Sequence, residues 1–264
     1  MSPSPSSLPH APVPPAEAGA TGRVQSIDRA LVILRELARA PQGLSALELS
    51  RRTEIERTTI HRLLKTLMHW NMIAADNGVY SIGPECLVFA TAHVDRLNVR
   101  RAALPYAVEL QEKILKGRSA LVSISVPARD EIVIIERVWT PLTPMNVIME
   151  IGNHFPIDVA ASGLAILSTY SEKQCLDAIG AERLARVEPA LRKIRQADGF
   201  SCTQGRFKPG LISLACPVYG KGTAALGAVV ISGLELEEEM RPQARLVQHL
   251  RRVCQSVSAS LRAS

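Results

Sequence analysis

The chain has 264 residues, enough for one large or two modest domains, and 47% of them are apolar, ample for buried cores. A net charge of +6 suits a polyanionic partner without requiring one. The five cysteines (Cys86, Cys175, Cys202, Cys216, Cys254) are scattered and lack C-x-x-C spacing, which argues against a zinc site or a disulfide framework, and the longest apolar stretch, 224–234, is interrupted by glycine and too short to span a bilayer.

Residues 1–22 are rich in Pro, Ser and Ala and carry no apolar targeting segment, so they are expected to be a disordered tail of a cytoplasmic protein with no membrane association. Residues 23–83 are expected to form a winged helix-turn-helix. Ile27, Ala30, Leu31, Leu34, Leu37 and Ala38 mark the apolar face of a first helix, with Ser26 as its expected N-cap. Ser45 and Glu48 form an S-x-x-E capping box at the start of a second helix, and a turn follows at 53–56. Ile60, Leu63, Leu64, Leu67 and Met68 then share one helical stripe, while Arg57, Thr58, His61, Arg62 and Lys65 project from the other side. No acidic residue lies between Arg57 and Trp70. Asn77-Gly78 between two short apolar runs predicts a tight hairpin of type I′, the wing.

A short helix with a basic, hydroxyl-bearing face suits the DNA major groove. Arg57, Thr58, Thr59, His61 and Arg62 are the candidates for base and phosphate contacts, with Lys65 and Asn77 on the backbone and Ser45 at the cap of the partner helix. The bland alternatives are a solvated helix or a winged helix that binds protein. An enzyme would need a nucleophile with its base, or a metal cluster. The chain has no G-x-S-x-G, no H-E-x-x-H and no Gly-rich phosphate loop. Its histidines are dispersed, and His154 with Asp158 reads as a local surface pair. Neither metal nor cofactor is expected.

Residues 84–98 read as a helix with one apolar side, formed by Cys86, Leu87, Phe89, Ala90, His93, Val94 and Leu97. Beyond it, 99–264 mixes strands and helices. Strands are expected at 120–126, 131–138, 145–151, 211–219 and 224–232, and helices at 162–170, 172–179 and 189–197, with a closing helix at 236–261. That order gives α+β with a mainly antiparallel sheet.

The chain as a whole resembles the IclR-type bacterial transcription regulators. The resemblance lies in Gln25-Ser-Ile-Asp-Arg-Ala-Leu-Val-Ile-Leu34, Arg57-Thr-Thr-Ile-His-Arg-Leu-Leu64 and Tyr80-Ser-Ile-Gly83, in the small-residue segment 152–167, and in Gly199-Phe200 followed by Pro209-Gly-Leu-Ile-Ser-Leu-Ala-Cys-Pro-Val218. It implies a ligand-responsive regulator that binds near-palindromic double-stranded DNA as a homodimer or homotetramer. It also implies a linker helix that pairs two DNA-binding domains and a GAF-like effector domain for a small organic acid.

The segments that resemble the family's pocket contain Ala161, Ser162, Thr203, Leu211, Ser213, Val230 and Ser232, with Ala161 and Ser162 at a helix start whose N–H groups suit a carboxylate. Thr203, Arg206 and Val230 depart from the family pattern, which points to a larger, aromatic or aliphatic carboxylic acid, with Arg206 or Arg137 as its cationic partner. Glu54 stands where relatives often have Gly, so strain is expected at that turn.

Overall fold

The computed structural model describes residues 22–144 and 147–263, and the chain divides between Arg96 and Leu97 into two compact units. The expected N-terminal tail lies almost wholly outside the described residues.

In the first unit, α1 (Gln25–Ala38), α2 (Ala46–Thr53) and α3 (Arg57–His69) turn apolar stripes toward a shared core of Ile33, Leu37, Leu49, Ile60, Leu64 and Leu67. The start of α1 differs from expectation. The Val24 carbonyl accepts from both Ile27 N–H and Asp28 N–H, so the helix begins before Ser26, which falls inside its first turn. Its inward face also differs. Ile33 and Leu37 are buried, whereas Ile27 and Leu31 are 57% and 53% exposed.

The second helix starts as its sequence dictates. Glu48 N–H donates to Ser45 Oγ at 3.3 Å, and Ser45 N–H donates to Glu48 Oε2 at 2.8 Å. Between α2 and α3 the backbone reverses through Glu54 at φ +56°, held by Thr53 Oγ1 donating to Leu49 O and Ser50 Oγ donating to Ile55 O, each at 2.7 Å.

Strands β2 (Ile73–Asp76) and β3 (Val79–Ile82) pair antiparallel, with Asp76 opposite Val79. Asn77 at φ +48° and Gly78 at φ +80° form the two-residue turn, both central residues left-handed as type I′ requires. A two-residue strand, β1 (Leu44–Ser45), adds to β3 and was not foreseen, because so short a segment carries no periodicity of its own. The helix α4 (Glu85–Val94) ends the unit with no buried residue.

The second unit opens with α5 (Asn98–Glu109), which runs on into a π-helical turn at Leu110–Ile114. There follow β4 (Ala120–Ala128), β5 (Glu131–Val138), β6 (His154–Pro156), α6 (Ala161–Leu167), α7 (Glu172–Gln196), β7 (Ser201–Gln204), β8 (Ile212–Tyr219), β9 (Ala225–Gly233) and α8 (Arg245–Ala263). The six strands form one antiparallel sheet in the order β6-β5-β4-β9-β8-β7. Alternation along each strand serves two layers. Val122, Ile124, Leu214 and Ile231 pack under Ala103 of α5, Leu110 of the π-helical turn, and Leu250 and Val257 of α8. Leu121, Ile132, Ile134 and Phe155 face the side covered by Ile166 of α6 and Leu191 of α7.

Three expected elements are corrected. Met145 and Asn146 lie outside the described residues, and 147–151 forms no strand. Val147 and Met149 are buried, but the chain turns at Gly152 (φ +85°), and β6 takes the sheet edge instead. Alternating burial there belongs to an irregular crossing, not to a hydrogen-bonded ladder. The two helices expected after 171 meet at Gly180 (φ +73°, ψ 167°), and the second begins earlier than its sequence suggested, inside α7. The closing helix is split. A 3₁₀ turn at Glu237–Met240 precedes an extended Arg241 and a turn through Pro242, and α8 starts only at Arg245, because a residue before proline is driven out of helical geometry. His154 bonds Glu131 Oε2 at 3.0 Å, not Asp158, which pairs with Arg183.

Candidate nucleic-acid interface and ligand cleft

The outer face of α3 is built by subtraction. Ile60, Leu64 and Leu67 must face the core, so 100° per residue leaves Arg57, Thr58, His61, Arg62 and Lys65 together on the solvent side, and all five are exposed. Thr59 is half-buried at the edge of the stripe. Among the described residues no carboxylate is within ion-pair distance of Arg57, Arg62 or Lys65, whereas Arg52, on α2, lies 3.8 Å from Glu36. These three cations are therefore uncommitted.

Asn77 is exposed at the tip of the hairpin. The Ser45 hydroxyl is occupied. It accepts from Glu48 N–H and donates to Glu48 Oε2 at 2.6 Å, and together with the Ser45 N–H it holds the Glu48 carboxylate below its ordinary range. Arg51 is a further exposed cation, on the last turn of α2. Sequence alone offered no reason to single it out, since a basic residue there also complements the helix dipole.

The second unit holds a cleft between the sheet and α6, about 360 Å³ including the part open to solvent. Its floor is the α6-facing side of three strands: Ser123 and Ser125 of β4, Ile132 and Ile134 of β5, and Val230 and Ser232 of β9, each pair two residues apart. Ser213 joins from β8, and its Oγ lies 2.9 Å from Ser232 Oγ. Phe155 and Phe207 close one side, their ring centres 4.7 Å apart. Met149 and the segment from Ala160 to Ser162 complete the lining.

No charged residue appears in the lining. A Cβ on Gly163 would collide with the backbone carbonyl of Ile157, so glycine is what lets α6 lie close enough to deliver Ser162. Ser125 Oγ is buried and has no hydrogen-bond partner among the described residues.

Five of the seven residues expected at an effector site, Ala161, Ser162, Ser213, Val230 and Ser232, line this cleft; Thr203 and Leu211 do not. Thr203 pairs with Ser213 from the outer strand β7, and Leu211 is buried in the apolar layer beneath α7. Neither expected cation reaches the cleft. Arg206 is exposed, and Arg137 is bound to Glu150 at 2.7 Å and to the Met149 carbonyl at 3.0 Å. The helix-terminus expectation also weakens, because α6 has only seven residues; the polar anchors are hydroxyls. The lining residues unforeseen from sequence include Ser123, Ser125, Ile132, Ile134, Phe155 and Phe207. The one available signal was Ser-x-Ser in an otherwise apolar strand.

Residues 26–77 match the IclR helix-turn-helix domain, and residues 91–259 match the bacterial transcriptional regulator IclR C-terminal domain. The glycerol operon regulatory protein of Streptomyces coelicolor is 28% identical over 253 residues, covering 90% of this chain and 96% of that one. The transcriptional repressor IclR of Escherichia coli is 26% identical over 231 residues, covering 83% of each chain. Among solved structures, an IclR homolog from Microbacterium hydrocarbonoxydans complexed with 4-hydroxybenzoate superposes with a TM-score of 0.74 at 17% identity, over 90% of this chain and all of that one. At that identity the likeness is one of fold.

Proposed function

The chain belongs to the IclR family of bacterial transcriptional regulators, and from that premise we propose that it is a cytoplasmic, ligand-responsive regulator that binds near-palindromic operators as a dimer or a dimer of dimers. The observation that carries DNA binding is the uncommitted cationic face of α3 opposite a buried apolar stripe. Arg57, Thr58, Thr59, His61 and Arg62 meet base edges and nearby phosphates, and Lys65 and Asn77 meet the backbone on either side. Ser45, whose hydroxyl is held by its cap, contributes at most a phosphate contact. Two copies place two recognition helices about one DNA turn apart, roughly 34 Å.

The effector is an aromatic or aliphatic carboxylic acid held in the cleft of the second unit. The apolar walls and the serine hydroxyls support this reading, as does the 4-hydroxybenzoate complex of a protein with the same fold. Ala161, Ser162, Ser213, Val230 and Ser232 touch the ligand, while Thr203 stands beside Ser213 on the next strand and Leu211 leads into β8. The carboxylate meets hydroxyl donors in place of a guanidinium. The ligand shifts operator affinity by as much as it prefers one arrangement of the protein over another, and DNA shifts ligand affinity by the same factor.

The test is fluorescence anisotropy with a duplex selected from a random pool. Binding is expected to weaken steeply and log-linearly as salt rises, since each neutralised phosphate releases counterions. Arg62→Ala is expected to cost about 1–3 kcal/mol at fixed salt and to relax sequence preference at one position. A salt-independent interaction, or unchanged affinity in the variant, overturns the assignment.

A further inference from the structure

We propose that Ser125 recognises a hydroxyl group at one end of the bound effector, so that the protein selects aromatic acids with a hydroxyl opposite the carboxylate over their unsubstituted analogues. The inference rests on the cleft being the effector site.

Ser125 is 1% exposed and lines the cleft, yet its Oγ has no hydrogen-bond partner among the described residues. The register explains why. Its neighbours on the same face are Ile134 of β5 and Ala228 of β9, and neither side chain carries a polar atom. The register of β4 against β5 slips between Ile124 and Ser125 and leaves Ile135 unpaired. Such a bulge re-aims the side chains beside it. The hydroxyls at the other end of the floor differ, because Ser213 and Ser232 satisfy each other. A buried, unpartnered hydroxyl is unfavourable until a complementary group arrives, and an apolar one brings no relief.

Position along the strands sets the length of the ligand. Ser232 stands opposite Leu121 of β4, and Ser125 lies four residues further on, roughly 13 Å of strand. A hydrogen bond of about 2.8 Å at each end leaves roughly 7 Å between the ligand's own polar atoms. That is the span of a single aromatic ring with polar groups at opposite positions. Between the two ends Val230 stands opposite Ser123, and Ile134 and Phe155 flank the Ser125 end, so the body of the ligand meets apolar walls with one further hydroxyl beneath it.

The experiment is calorimetric titration of the full-length protein with benzoate and with 4-hydroxybenzoate. The native protein is expected to bind the hydroxylated acid about tenfold more tightly. Ser125→Ala is expected to bind the two acids alike, with its affinity for benzoate unchanged or improved and its melting temperature in the absence of ligand undiminished. Ser125→Cys, which keeps the volume and weakens the donor, is expected to show an intermediate preference. Ser213→Ala, at the opposite end, is expected to weaken both acids by the same factor. Equal binding of both acids by the native protein, or a preference that survives in Ser125→Ala, overturns the role of Ser125 while leaving the cleft as the effector site. Failure of the native protein to bind either acid removes the effector reading and this inference together.

Discussion

Glu54 shows how a single backbone angle records a departure from the simplest sequence solution. Its φ of +56° lies in the left-handed region, where a Cβ costs about 1–2 kcal/mol. The side chain is exposed, and the turn is held by neighbours, Ser50 and Thr53, through their hydroxyls. Glu54→Gly removes the strain and gives back part of the gain through the greater freedom of glycine in the unfolded chain. It is expected to stabilise the protein by about 0.5–1 kcal/mol in a urea melt and to leave operator affinity unchanged. A loss of stability would show that the glutamate side chain itself holds the turn. The expectation of strain here came from sequence; the two hydroxyl bonds that offset it did not.

Among the elements, α6 depends on a clamp outside itself. Arg183, on the second half of α7, donates through Nε to Asp158 at 2.9 Å, just before α6, and through Nη1 to Asp130 at 2.9 Å, in the turn between β4 and β5. One guanidinium thus ties α7 both to the segment before α6 and to the turn between β4 and β5. The Asp158 side chain is 8% exposed, and Arg183 holds its carboxyl below the ordinary carboxylate range. A depressed native value means stability that is fully present above the unfolded value, about 3.9, and lost as pH falls through the lower native one. Asp158→Asn is expected to destabilise by about 1–3 kcal/mol at pH 7, because it leaves the partly buried guanidinium short of a partner. Its stability should also fall less steeply than that of the native protein below pH ~4. Parallel acid limbs in the two chemical-denaturation series would refute the linkage.

At the scale of the whole molecule, α4 is the element without an explanation in its own chain. Leu87, Val88 and Phe89 are 65%, 55% and 61% exposed, and nothing in the helix is buried. An apolar surface of this kind marks an interaction site, and under the dimer proposed above it is the surface assigned to pairing two copies. The double variant Leu87→Glu/Phe89→Glu is expected to sediment as a monomer and to bind an operator no better than a single half-site, since the gain from divalent attachment disappears. Unchanged sedimentation would place the dimer contact elsewhere. Among the described residues no helix is long and apolar enough to cross a membrane.

What could be learned from sequence alone is what short-range physics decides. The 3.6-residue stripe of α3, the Ser45–Glu48 cap and the Asn77-Gly78 turn each fit within a few residues, and each appears in the structure as those residues dictate. The family resemblance was carried by equally short runs, among them 25–34, 57–64 and 209–218. The cleft obeys other rules. Ser123 and Ser125 meet Ser213, Ser232 and Phe155 only after six strands have taken their order and register. Arg137 leaves the cleft because Glu150 and the Met149 carbonyl happen to be within reach. Whether a buried hydroxyl is satisfied depends on the residues across the neighbouring strands, more than a hundred positions away along the chain in the case of Ala228. No window of sequence contains that information, since hydrogen bonds between strands are chosen by packing in three dimensions.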